Sequence, residues 1–119
     1  MKKSVSLKKN HEFKRLYSKG RTTVTPYMVI YSRKTKTGHN RIGITVTKKL
    51  GKAVHRNRVR RRLKEIYRVN EDKFAVGYDI VAVARVSSRF AEFKQLEQAF
   101  LDAGAKLGLL AGSEKGDEL

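Results

Sequence analysis

Residues 48–68, KKLGKAVHRNRVRRRLKEIYR, set ten Lys or Arg against the single acid Glu65. A guanidinium presents paired, coplanar donors that match two phosphate oxygens, and an ammonium adds a compact point charge, so the chemistry of this stretch is the holding of anions. At about 100° per residue, with Val59 at zero, Leu63, Ile66 and Tyr67 all fall within about 80° of it. Asn57, Arg61, Lys64 and Arg68 lie between about 140° and 200°, with Arg58 and Arg62 flanking them. The pattern predicts a packed helix with one apolar side and an opposite cationic face. A disordered arm would give Val59, Leu63, Ile66 and Tyr67 no reason to recur at helical spacing. A merely solvated helix would intersperse Glu, whereas here Arg58 with Arg62, and Arg60 with Lys64, place like charges at i, i+4 at a cost of about 0.2–0.5 kcal/mol a pair.

The whole chain shares that bias. Its 119 residues carry a formal charge of +17, an imbalance that a polyanion relieves, and nucleic acid is the leading candidate. Each neutralised phosphate adds about −0.7 to −0.9 to the slope of log affinity against log salt, so six contacts predict a slope near −4 to −5. No apolar run approaches the length of a membrane span, and MKKSVSLKKN lacks the apolar centre of a secretory signal. A cytoplasmic protein with no membrane partner is the expectation. Zero cysteines exclude disulfides and thiol chemistry. His11, His39 and His55 are the only neutral-pH acid or base groups of their type, and no spacing pairs two of them. Asp72, Asp79, Glu92 and Glu97 show no metal-ligand motif, so no catalytic or metal residue is assigned within the protein.

The elements that must position the cations follow from periodicity. Asn10 is expected to cap a first helix carrying Phe13, Leu16 and Tyr17, closed by Gly20. TTVTPYMVIYSR reads as a short strand, a break at Pro26 and a longer strand, with Tyr27, Val29 and Tyr31 on one face and Met28 and Ile30 on the other. A polar turn over residues 34–40 and the alternation in RIGITVTKK predict that the next strand returns as a hairpin. After the basic helix, YDIVAVARV reads as a central strand, and a last helix starting near Ser88 carries Phe93, Leu96, Phe100, Ala103 and Leu107 as one apolar stripe. The chain is thus α+β, ordered helix, strands, helix, strand, helix. Residues 1–111 form one RNA-binding domain and residues 112–119 a flexible acidic tail.

KKLGKAVHRNRVRRRLKE, with Lys48, Lys49, Gly51, Ala53, Val54, Arg56-Asn57-Arg58, Arg61 and Leu63 at their offsets, resembles the signature of the protein subunit of bacterial ribonuclease P. LKKNHEFKRLYSKG is similar to that family's first helix, and the resemblance runs from about Leu7 to Leu107. It implies an α/β sandwich with a left-handed βαβ crossover. It further implies a protein, monomeric by itself, that assists a catalytic RNA subunit in removing the single-stranded 5′ leader of precursor tRNA. The protein then has no cofactor of its own, and the RNA subunit uses magnesium. Two surfaces carry over: a basic RNA-binding helix with Lys48, Lys49, Lys52, Arg56, Asn57, Arg58, Arg61, Arg62, Lys64 and Arg68, and a leader cleft with Lys8, Lys9, Phe13, Tyr17, Val29 and Tyr31. Composition alone leaves open a small ribosomal or RNA-chaperone protein, and a protein-only nuclease is the enzyme alternative.

Overall fold

The computed structural model describes residues 4–111, so the tail expected at 112–119 lies outside the described residues. Five strands, β1 (Ser4–Ser6), β2 (Arg21–Val24), β3 (Met28–Lys34), β4 (Asn40–Val46) and β5 (Tyr78–Ala84), form one mixed sheet in the order β1-β4-β5-β3-β2. Helices α1 (Asn10–Lys19), α2 (Ala53–Asn70) and α3 (Phe93–Lys106) cover it, with short 3₁₀ turns at Lys48–Leu50, Glu71–Lys73 and Val86–Phe90.

The expected hairpin between β3 and β4 does not form. β5 lies between them, antiparallel to β3 and parallel to β4, which makes β4–α2–β5 a parallel crossover unit. Two physical causes place it there. YDIVAVA is the most continuously apolar strand and takes the centre, where most of its residues are buried. Asn40, buried at the start of β4, accepts the backbone N–H groups of Gly77 and Tyr78 on Oδ1, both at 2.8 Å, and so fixes the entry of β5 beside β4. Its Nδ2 donates to Ala75 O at 2.9 Å and Tyr67 Oη at 3.3 Å, leaving no polar atom of this buried amide unmet.

One sheet face, with Met28, Ile30, Ile42, Val46, Ile80, Ala82 and Ala84, is sealed by α2 through Val59, Leu63, Ile66 and Tyr67 and by α3 through Leu96, Phe100 and Ala103. The predicted apolar sides of both helices are therefore the buried ones. Tyr27 departs from expectation: it precedes β3 and packs against this core rather than sharing a face with Val29 and Tyr31. The last helix starts at Phe93, not near Ser88. Glu92 and Gln95 close a reciprocal capping box there, and the residues before it form the Val86–Phe90 turn. Asn10 is the first residue of α1 and not its cap; Lys9 holds that position without a side-chain bond. β1, which the sequence reading lacked, pairs parallel with Asn40, Arg41 and Ile42 of β4.

Among the described residues the opposite face is met by α1 and the preceding Leu7, in a second small cluster of Leu7, Leu16 and Val81 packed by Phe13, Tyr31 and Val83. Gly20 lets α1 turn into β2: a Cβ there would lie 2.5 Å from Leu16 O and 2.9 Å from Ser32 O.

Candidate nucleic-acid interface

The register sorts the α1 face into three rows. Val24, Val29, Val83 and Thr45 are neighbours across the sheet, then Thr22, Tyr31, Val81 and Gly43, then Arg33, Asp79 and Arg41. The third row is locked by charge. Arg41 donates Nε to Asp79 Oδ1 at 2.7 Å and Nη2 to Asp79 Oδ2 at 2.6 Å, and its Nη1 pairs with Glu12 of α1. The hydrogen bonds to Asp79 raise the Arg41 pKa above its ordinary value. In the middle row Phe13 lies directly on Gly43, where a Cβ would come within 2.7 Å of the ring. Leu16 is buried beside Val81, and Tyr17 meets Tyr31 edge-on with centroids 4.9 Å apart.

The first row lies past the edge of α1, which reaches it where Tyr17 Oη and Thr45 Oγ1 share a hydrogen bond of 3.2 Å. Val29, Val83 and Thr45 are half-buried, Val24 is exposed, and Tyr17 is 42% exposed. A depression of about 330 Å³ opens along this boundary, lined by Asn10, Phe13, Lys14, Tyr17 and Thr45. The structure thus brings Phe13, Tyr17, Tyr31 and Val29 to one surface, on which Tyr17 is the exposed ring while Phe13 and Tyr31 are half-buried. Lys8 and Lys9 are exposed just ahead of α1, and Lys48 and Lys49 are exposed on the turn after β4. Lys14 was missed, although its place between Asn10 and Tyr17 on one helical stripe was readable.

On α2, Asn57, Arg58, Arg61, Lys64 and Arg68 are all exposed, as the wheel predicts, and Lys52 is exposed at the helix entry. Arg61, Lys64, Glu65 and Arg68 line an open depression of about 420 Å³. Arg60 Nη1 donates to Asn57 Oδ1 at 2.7 Å, which leaves the Asn57 amide group as a donor toward solvent. Arg68 is paired with Glu65, and that bond holds the Glu65 carboxyl below its usual range. Two arginines depart from the outward face. Arg56 is half-buried, with its Nε enclosed and without a partner, and Arg62 donates Nη1 to Ala91 O at 3.0 Å. No acid lies in the first turn of α2, so its free N–H groups and positive dipole end add to the field of the cations.

β1 ends at Ser6, opposite Ile42, and beyond it a notch of about 170 Å³ opens at the edge of β4. Phe13 and Gly43 line one side of the notch, Arg60 and Lys64 the other, so the aromatic cleft and the cationic helix adjoin. The three histidines lie on α1, before β4 and on α2, and among the described residues no three His, Asp or Glu converge as metal ligands. Also among the described residues, no helix is long and apolar enough to cross a membrane.

The family model described as Ribonuclease P matches residues 1–108. A Clostridioides difficile ribonuclease P protein component is 49% identical over 94 residues, covering 78% of this chain and 82% of the relative. One from Alkaliphilus metalliredigens is 40% identical over 111 residues, covering 93% and 100%. Among solved structures, a Staphylococcus aureus RNase P protein mutant superposes with a TM-score of 0.81 at 30% identity, covering 87% of this chain and 88% of that one. The Thermotoga maritima RNase P protein gives 0.75 at 29% identity, with coverage of 82% and 92%.

Proposed function

The chain belongs to the ribonuclease P protein family, and from that premise we propose how its two surfaces divide the work of the ribonucleoprotein. Ribonuclease P is a ribonucleoprotein endoribonuclease of tRNA processing, and this chain is of the protein-component type, with an RNA subunit and tRNA as partners. Family membership decides against the ribosomal or chaperone alternative.

The outer face of α2, with Asn57, Arg58, Arg61 and Lys64, holds phosphates of the RNA subunit. The cleft of Phe13, Tyr17, Tyr31 and Val29 takes the single-stranded 5′ leader of precursor tRNA, its bases on the rings and its phosphates on Lys14, Lys48 and Lys49. The observation that carries this reading is the uncovered row of the sheet, bordered by aromatic rings and joined to a cationic helix through the notch at β4. Magnesium is assigned to the RNA, and the protein acts as a cytoplasmic monomer that raises substrate and metal binding without supplying a reacting group. Arg56 and Arg68 have smaller parts than the sequence suggests, the first by burial and the second by its pairing with Glu65.

The test is cleavage of precursor tRNA by the RNA subunit at low magnesium, with and without the chain. Wild type is expected to raise cleavage. Joint replacement of Arg58, Arg61 and Lys64 by Ala is expected to weaken holoenzyme assembly and reduce the salt slope by about 2 to 3 with folding retained. No gain from wild type would overturn the reading, and cleavage by the chain alone would make it a protein nuclease.

A further inference from the structure

On the other flank of α2, away from the notch, a pocket of about 180 Å³ lies between the helix and the Val86–Phe90 turn, lined by His55, Arg58, Val59, Arg62, Arg89 and Phe90. We propose that it binds an unpaired nucleotide of the RNA subunit, with the phosphate held by Arg58, Arg62 and Arg89 and the base stacked on Phe90. The proposal rests on the RNA-binding reading of α2 and adds a contact to it.

Three features of the pocket point to that ligand. Arg89 donates Nη2 to His55 Nε2 at 3.0 Å and Nη1 to Leu50 O at 3.4 Å, while Arg62 is tethered to Ala91 O. Neither guanidinium is therefore held by a carboxylate, and no ion pair cancels their charge. Among the described residues the ion pairs lie elsewhere, at Arg41 and Arg68, so three cations converge with no carboxylate lining the pocket. Such an arrangement repels itself until an anion enters, and preset guanidinium forks lower the ordering cost of binding one.

Phe90 is 76% exposed, the most exposed large apolar side chain among the described residues, and the Arg89 guanidinium lies over its ring at 5.2 Å. An aromatic ring braced by a guanidinium and otherwise open to water is a stacking platform. At about 180 Å³ the pocket falls below the roughly 300 Å³ of small-molecule sites, so it takes a phosphate while the base remains outside on the ring. Gly51 completes the fit: its φ of 141° suits glycine alone, and a Cβ would stand 2.9 Å from Arg89 Nη1. The body of α2, about 10 Å across, separates this pocket from the leader cleft, which assigns the nucleotide to the RNA subunit rather than to the leader.

The experiment measures affinity of the full chain for the isolated RNA subunit, and of the assembled holoenzyme for precursor tRNA. Phe90→Ala, Phe90→Leu and Phe90→Tyr are compared with the double variant Arg61→Ala/Lys64→Ala, which leaves the pocket intact. Phe90→Ala and Phe90→Leu are expected to weaken RNA-subunit binding by at least about fivefold, with Phe90→Tyr within about twofold of wild type and thermal stability unchanged. Precursor tRNA affinity should stay within about twofold. Loss with the double variant but not with Phe90→Ala would remove the pocket and leave the RNA-binding helix standing. No loss with either would remove both. Full binding by Phe90→Leu would overturn the stacking role, and a loss confined to precursor tRNA would overturn the assignment to the RNA subunit.

Discussion

The two faces of the sheet are written by alternate residues of the same strands, yet they end in opposite states. On one, Met28, Ile30, Ile80 and Ala82 lie under α2 and α3 with almost no exposure. On the other, Val29, Tyr31, Val81 and Val83 meet a single ten-residue helix that covers the middle of the face and stops short of the row through Val29, Val83 and Thr45. The difference shows how a small domain can house a core and a binding surface without a second domain. Two helices bury one side deeply enough to hold the fold, which frees part of the other side to stay half-wet.

The largest effects should come from the sealed side. Leu63→Ala removes a fully buried side chain at the centre of the α2 contact and should cost about 2–5 kcal/mol in denaturant unfolding. Val29→Ala, in the uncovered row, should cost about 1 kcal/mol or less. Equal losses at the two positions would break the contrast between the faces. The ion lock is the exception on the open side. Arg41→Ala would strand the Asp79 carboxylate, whose side chain is only 7% exposed, and should cost about 3 kcal/mol while loosening α1 from the sheet. A loss below about 1 kcal/mol would show that water reaches Asp79.

The sealed side was the more legible in sequence, because burial writes a period. Val59, Leu63, Ile66 and Tyr67, and Leu96, Phe100 and Ala103, were placed correctly by spacing alone. Strand order was not legible. The β3–β4 hairpin was inferred from the polar turn at 34–40 and the alternation after it, and its failure follows from Asn40, a single buried amide whose hydrogen bonds join residues 37 and 38 positions apart. On the open side, residue types suggested aromatic and cationic roles, yet Gly43 as the seat of Phe13 leaves no periodic trace. Nor does the charge run around Arg58 reveal Arg89 and Phe90, which reach it from a turn some thirty positions later.

A smaller effect, in binding rather than stability, sharpens the role of the open face. Tyr17→Ala removes the exposed ring beside Tyr31 and should weaken binding of a single-stranded leader by about 1–3 kcal/mol, read as the affinity difference between long-leader and leaderless precursor. Tyr17→Phe keeps the ring and loses only an exposed hydrogen bond to Thr45, so it should bind almost as wild type. If the phenylalanine variant fell as far as the alanine one, the hydroxyl and not the stack would be the contact.

The smallest effect concerns a tyrosine on the sealed side. Tyr67 is buried, and burial raises its hydroxyl pKa above the ordinary 10.0, against the opposing pull of its hydrogen bonds with Ser4 at 2.6 Å and Asn40 at 3.3 Å. Below pH 10 the phenol is neutral in both folded and unfolded chains, and its hydrogen bonds contribute in full. Above that, the unfolded chain gives up the proton while the folded chain retains it, so the unfolded state binds fewer protons and stability falls as pH rises toward the folded value. Tyr67→Phe should therefore be less stable than wild type by about 1 kcal/mol at neutral pH, and the gap should narrow above pH 10, because the variant has no phenol to ionise at this position. Parallel curves through that range would mean that the hydroxyl meets water in the folded state, and the seal that α2 makes with the edge of β4 and β1 would then be open where Ser4, Asn40 and Tyr67 now close it.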